Sequence, residues 1–370
     1  MDFSRLARPC ILRREAYYPG KPLEEVRRIA GDHPLTILSS NENGLGTSPR
    51  ALEAMIRTLQ GGANRYPDSG ATALRRRLAS DWGLTPDHFL VDNGLDGVIT
   101  VLGMTFLNPG DEVVHGALTF PIYEGIAGRM DGVSVPVPMT EGYGFDVDGM
   151  LGALTPRTKM VFLCNPNNPT GTMVGRRDFQ RLLEGIPEEV LLVSDEAYME
   201  FADHPEFPDT VPLVARHPNL VVLRTFSKIL GLAGLRVGYA AAHPDLVALA
   251  LRVREPYASN ALALAGALAA LEDREFLERS RRTVAAERRR VGDLLASRGV
   301  RFVPSQSNFL LVLPDREADG VAEALMARGV LVRSLSHQGE PRGLRITLGT
   351  PQENDRAFGA LLEILGRTEG

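Results

Sequence analysis

From Trp82 to about residue 242 the chain alternates short apolar runs with stretches of helical periodicity. The runs cover residues 112–115, 133–137, 160–164, 190–194, 220–223 and 237–241. Each suits one strand and is too short for a buried helix. Their alternation with helices predicts crossover units and a largely parallel sheet covered on both faces. Before this region, residues 22–30 read as a short helix opened by Pro22 and closed by Gly31, with Leu23, Val26 and Ile29 on one face. A strand at 35–38, a loop at 41–46, a helix from Pro49, a loop at 64–68 and a helix from about Ala71 to Trp82 follow. Residues 244–298 are almost wholly helical, which predicts a long connecting helix. Beyond it, 300–303, 308–313, 330–333 and 344–347 read as strands of a smaller sheet-and-helix unit.

Composition narrows the function classes. A length of 370 residues accommodates one large domain with a smaller one attached. Hydrophobic residues at 44% and charged residues at 24% give a soluble balance with a sizeable core. A net charge of -5 speaks against nucleic acid as a partner, and the runs Arg75–Arg77 and Arg288–Arg290 read as solvated helix faces. Cys10 and Cys164 cannot build a disulfide framework, which points to a reducing cytoplasm. The histidines lack metal-ligand spacing, so no metal is expected. Arginines at 5, 8, 13 and 14 interrupt any apolar leader, and the apolar stretch 261–271 is far short of the ~20 residues of a membrane span. The expectation is a cytoplasmic protein without a membrane segment.

Several strand ends carry chemistry. Apolar residues 220–223 lead into Thr225-Phe226-Ser227-Lys228, then a glycine-spaced loop to Arg236. Open α/β sheets bind ligands beyond the carboxyl ends of their strands, where this lysine falls. Residues 190–194 end in Asp195-Glu196, a pattern shared with the magnesium-binding strand of P-loop ATPases; no Gly-x-x-x-x-Gly-Lys-Ser/Thr loop accompanies it. Asp195 also suits a helix N-cap. Residues 161–164 lead into Asn165-Pro166-Asn167-Asn168-Pro169-Thr170-Gly171, a stiff turn at the same edge. Asp92-Asn93-Gly94-Leu95-Asp96-Gly97 opens a helical pattern, and a helix N-terminus suits a phosphate. Arg345 sits inside an apolar strand, where an arginine needs an anionic partner.

Taken together, the Thr225–Lys228 segment, Arg236 and the Asn165–Gly171 string resemble the fold-type I aminotransferases, which depend on pyridoxal phosphate, and among them the histidinol-phosphate aminotransferase branch. The resemblance covers essentially the whole chain. It implies an α/β fold with a mostly parallel central sheet covered by helices, plus a smaller α+β domain. Residues 33–274 would form the large domain, and 1–32 with 275–370 the small one. It implies a Schiff base between Lys228 and the cofactor, Asp195 on the pyridine nitrogen, and Tyr198 and Asn168 on the phenolic oxygen. Phe120 would stack on the ring. Gly94, Leu95, Asp96, Thr225, Ser227 and Arg236 would surround the phosphate, joined by Tyr66 from a neighbouring subunit, which makes a homodimer with shared sites. Tyr18, Asn43, Asn308, Arg333 and Arg345 would meet the substrate, with Tyr17 as a substitute for Tyr18. The family usually reads Gly-Asn-Gly, a small residue, then Asp-Glu at the phosphate turn; Asp92, Leu95 and Gly97 depart from it. The implied reaction is ping-pong transfer between a small-molecule amino donor and an oxo acceptor, glutamate and imidazole acetol phosphate first. An aminotransferase for aromatic or other amino acids and a related decarboxylase are the alternatives. A cofactor-binding regulatory module would need a DNA-binding domain, for which no spare residues exist.

Overall fold

The computed structural model describes residues 1–15 and 21–367. Its strands, in chain order, are β1 (Thr36–Ile37), β2 (Phe89–Asp92), β3 (Glu112–Gly116), β4 (Val133–Val137), β5 (Thr158–Cys164), β6 (Leu191–Asp195) and β7 (Leu220–Thr225). β8 (Gly238–Ala241), β9 (Arg301–Val303), β10 (Phe309–Leu313), β11 (Val330–Leu331), β12 (Arg333–Ser334) and β13 (Leu344–Thr347) complete them. Seven form one sheet in the order β2-β8-β7-β6-β5-β3-β4. The pairs from β4 through β7 are parallel, while β8 runs antiparallel to both β7 and β2. Every residue of β7, and all but one each of β5 and β6, are buried. That is why these strands read as unbroken apolar runs rather than alternating ones.

Parallel pairing puts the carboxyl ends of β5, β6 and β7 on one edge, and the register aligns Cys164 with Asp195 and Asp195 with Leu223. β2 escaped the apolar-run reading: its four residues follow a one-turn helix at Pro86–His88, too short a stretch to stand out. Phe89 packs there against Trp82 and Tyr239.

A second, antiparallel sheet has the order β12-β13-β10-β9. The run 330–333, expected as one strand, is divided. Val330 and Leu331 pair in parallel with Thr36 and Ile37, whereas Arg333 and Ser334 pair with Arg345 and Leu344. β1 thereby ties the N-terminal part to the C-terminal one. Helix Leu23–Ala30 packs on helix Ala318–Met326. Ahead of it, Arg13 pairs with Asp131, and Cys10 and Arg14 reach backbone carbonyls of Arg129 and Glu124 on helix Ile122–Arg129.

The long helix Arg274–Ser297 is capped by Asp273, whose carboxylate accepts the N–H of Phe276. Its arginine run is only in part the solvated face that composition had suggested: Arg289 and Arg290 are exposed, Arg288 is not. Arg288 is 8% exposed; it donates to the carbonyls of Phe201 and Ser307 and pairs with Asp203 at 2.8 Å. A buried guanidinium needs such partners, and here they join the helix both to the turn after β6 and to the segment leading into β10. Arg75 and Arg77 likewise donate to the backbone at Pro86 and Leu271.

Alternation along the end of β6 separates its two acids. Asp195 lines a cavity, while Glu196 is buried against Arg224, 2.6 Å away, and accepts from Thr210 and Ser194. Removing one member of a buried ion pair typically costs ~3–5 kcal/mol. Arg224→Met is expected to destabilise by about that amount. Adding Glu196→Gln should recover part of the loss, as read by chemical denaturation of the two variants.

Candidate active site

Elements of both sheets meet at the carboxyl edge of the large sheet around a cavity of about 480 Å³. Of the residues singled out from sequence, Leu95, Asp96, Phe120, Asn168, Asp195, Tyr198, Thr225, Ser227, Lys228, Arg236, Arg333 and Arg345 line it.

Lys228 follows β7 through a tight turn. Ser227 N–H donates to Thr225 Oγ1, and Gly231 N–H donates to the Lys228 carbonyl. Gly231 has φ +69°, and a Cβ there would collide with the carbonyl of Gly46. The loop before helix Pro49–Gln60 therefore lies directly on the lysine turn. Asn43 donates to Ile229 O and Thr47 to Gly231 O, and Lys228 Nζ donates to Ser40 O at 3.0 Å. Burial, and next the cation of Arg345, lower the lysine to about 8.

Across the cavity, Asp195 is 2% exposed with no lysine or arginine at ion-pair distance among the described residues. Its Oδ2 accepts from Tyr123 OH at 2.8 Å and its Oδ1 from the N–H of Ala197. Burial raises it to about 6, against the opposing effect of the Tyr123 bond. Tyr123, fully buried and stacked on Phe162 at 4.4 Å, was not singled out from the sequence. Only the packing of helix Ile122–Arg129 on the sheet brings it to Asp195. Phe120 meets the Tyr123 ring edge-on at 5.9 Å.

Tyr198 OH accepts from Asn41 Nδ2 at 3.0 Å, so its own proton is available toward the cavity. Burial raises its pKa, which keeps the phenol protonated. Asn168 Oδ1 accepts from Arg345 Nη1 at 2.6 Å, and Arg345 Nη2 donates to Ser39 O at 2.6 Å. The asparagine amide thus turns its nitrogen the other way. Arg345 and Arg333 are direct partners across β12 and β13, so both guanidinium groups leave the sheet on one face.

At the opposite end, Arg236 adopts φ +56° and lies 3.3 Å from Asp96. Gly94 opens helix Gly94–Phe106 with φ +72°, and a Cβ on it would stand 2.5 Å from Arg236 Nη2. Backbone N–H groups of the helix start, the Arg236 cation and Thr225 converge here.

The other expected site residues lie elsewhere. Asn43 and Asn308 do not line the cavity: their amides bind backbone at Ile229 and at Asn41, respectively. Asn41, two residues earlier and at φ +56°, takes the place facing Tyr198. Tyr66 is 81% exposed, stacked on Tyr257 at 4.4 Å, and contributes nothing to its own chain's cavity. Tyr17 and Tyr18 lie outside the described residues. His337 and Gln338, overlooked in the sequence, line the cavity beside Arg333. Among the described residues no group of acids, histidines and cysteines could hold a metal, and no helix is long and apolar enough to cross a membrane.

The set fits pyridoxal phosphate, the cofactor implied by the resemblance. A buried carboxylate without a cation suits a protonated ring nitrogen, Lys228 suits the aldehyde carbon, and the Gly94–Arg236 cradle suits the phosphate.

The aminotransferase class I and II family matches residues 33–361. Histidinol-phosphate aminotransferase 2 of Pseudomonas aeruginosa is 41% identical over 366 residues, 98% of this chain and 99% of that protein. The histidinol-phosphate aminotransferase of Symbiobacterium thermophilum is 42% identical over 359 residues, 97% of this chain and 98% of its own. Among solved structures, histidinol-phosphate aminotransferase from Sinorhizobium meliloti in complex with pyridoxal-5'-phosphate superposes with a TM-score of 0.88 at 28% identity, covering 97% of each chain.

The lowered basicity of Lys228 makes a prediction for the cofactor-free protein. Its labelling by an amine-reactive reagent should inflect near pH 8, not near the ordinary 10.5. Arg345→Gln removes a neighbouring cation and should move that inflection upward. Because the folded site releases this proton before the unfolded chain does, the fold gains stability from this group as pH rises from about 8 to 10.5. An inflection at the ordinary value, measured by peptide-resolved labelling, would contradict the burial argument.

Proposed function

The chain belongs to the class I and II aminotransferases, and we propose that it moves an amino group between glutamate and imidazole acetol phosphate, with pyridoxal phosphate as cofactor. The observation that carries the substrate assignment is the Arg333–Arg345 pairing across β12 and β13. A planar guanidinium fork matches the carboxylate of an amino-acid donor and equally the phosphate of the acceptor. One pair of cations can thus serve both halves of a ping-pong reaction.

Pyridoxal phosphate, when bound, supplies an electron sink for charge developing at the substrate's α-carbon. The chain's own residues do the rest. Lys228, partly neutral near physiological pH, would take the proton from the substrate's α-carbon. Asp195, held by Tyr123, would keep a proton on the ring nitrogen. Tyr198, whose oxygen accepts from Asn41, and Asn168, whose oxygen accepts from Arg345, would each offer a hydrogen-bond donor to the phenolic oxygen. Phe120 supports the ring by area, and Gly94, Leu95, Asp96, Thr225, Ser227 and Arg236 hold the phosphate end.

The same reading makes the enzyme a cytoplasmic homodimer, with residues 33–274 as its large domain and 1–32 plus 275–370 as its small one. The exposed Tyr66–Tyr257 stack supports a shared site, since two large rings in solvent gain by packing against a partner.

Two experiments test these assignments. A charge-assisted hydrogen bond contributes ~1.5–3 kcal/mol, so Arg333→Gln should lower kcat/KM for histidinol phosphate roughly ten-fold or more, and that for phenylalanine far less. If the unaltered enzyme uses histidinol phosphate no better than histidinol, the substrate assignment fails. For assembly, the inactive variants Tyr66→Ala and Lys228→Ala, refolded together, should regain part of the activity through mixed dimers carrying one intact site. Verified mixed dimers that stay inactive would exclude a shared site.

A further inference from the structure

Two positions at which the phosphate turn departs from the family pattern, Asp92 and Gly97, face each other. Asp92 ends β2 and is 4% exposed. Its Oδ1 accepts the backbone N–H of Asn93 at 2.6 Å, and its Oδ2 lies 3.1 Å from Nε of the buried Arg254 side chain. Gly97 sits in the first turn of helix Gly94–Phe106. A Cβ built on it would collide with Asp92 Oδ1 and stand 3.2 Å from Asp92 Cγ. An acid at 92 therefore requires the absence of a side chain at 97. Relative to the family pattern the acid stands at 92 and not at 97, and the fold puts both positions in the same space.

Arg254 reaches further. It donates from Nε to Val91 O and from Nη1 to Ser69 O, both at 2.9 Å. Ser69 belongs to the loop that carries Tyr66, and Tyr257, stacked on Tyr66, lies three residues beyond Arg254. One buried guanidinium pins the end of β2, the Asn93–Gly94 turn and the loop bearing Tyr66. It can do so only while a carboxylate compensates its charge, because an unpaired buried charge is strongly unfavourable.

We propose that Asp92 is a positioning residue: paired with Arg254, and given room by Gly97, it fixes the Asn93–Gly94 turn on which the cofactor phosphate rests. The pair sets how tightly the cofactor is held, and touches neither substrate nor reacting atoms. The inference rests on the reading of Gly94 and Arg236 as the phosphate end of the site.

The test is titration of the cofactor-free protein with pyridoxal phosphate, followed by its absorbance, alongside the melting temperature of the cofactor-free form. Asp92→Asn should raise the apparent Kd at least ten-fold, and turnover with excess cofactor should fall by a smaller factor. Gly97→Ala keeps both charges but displaces the carboxylate, and should weaken binding likewise. The relocation Asp92→Gly with Gly97→Glu should bring the Kd back to within about three-fold of the original. A Kd within two-fold of the original in Asp92→Asn, with or without a lowered melting temperature, overturns the proposal. So does a folded relocation variant that binds no better than Asp92→Asn. Should the relocation variant not fold, Gly97→Ala decides alone. If the unaltered protein binds no pyridoxal phosphate, the proposed function fails instead, which the same titration shows.

Discussion

The site depends on the hydrogen-bonded register of three parallel strands. Because β5, β6 and β7 end together, Asn165, Asp195 and Thr225 are delivered to one edge without any long-range search by their side chains. The same burial that makes these strands apolar places Asp195 in a low-dielectric pocket. A carboxylate there is uncomfortable as an anion and is pushed up to about 6. Tyr123 relieves part of that cost and fixes the orientation of the group. What remains is a carboxyl group prepared for a cation that the protein itself does not supply.

A second constraint acts from the N-terminal side. The loop after β1 passes over the lysine turn and contributes backbone carbonyls where cations need them. Ser39 O takes Arg345, and Ser40 O takes Lys228. Asn41, strained into positive φ, turns its amide to Tyr198. β1 is held in place by β11, so this loop is anchored to the C-terminal part of the chain and laid across the large sheet. Lys228 is thereby held half-buried beside another cation, which lowers its basicity toward the range where it can accept a proton.

Local strings were legible in the sequence; packing across distance was not. Lys228, Asp195, Asn168 and Arg236 each stand in a short motif at a strand end, and each was found lining the cavity. Strand periodicity was readable for the same reason, since doubly covered strands leave continuous apolar runs. Tyr123 and Asn41 were invisible because their partners lie 72 and 157 residues away. Arg288 looked like part of a solvated charge run, yet its burial follows from where the long helix crosses two other elements. Asn43 and Asn308 stand in the expected motifs, and their amides hold backbone at Ile229 and Asn41. The departures at Asp92 and Gly97 looked independent in one dimension and become one feature in three.

The central claim is that Lys228 is the residue to which the cofactor is joined. The chain has only three lysines, Lys21, Lys159 and Lys228, which makes the claim unusually direct to test. Loading the protein with pyridoxal phosphate, reducing with borohydride and mapping the peptides should place one phosphopyridoxyl group on Lys228. A label on Lys21 or Lys159, with Lys228 unmodified, would contradict the account.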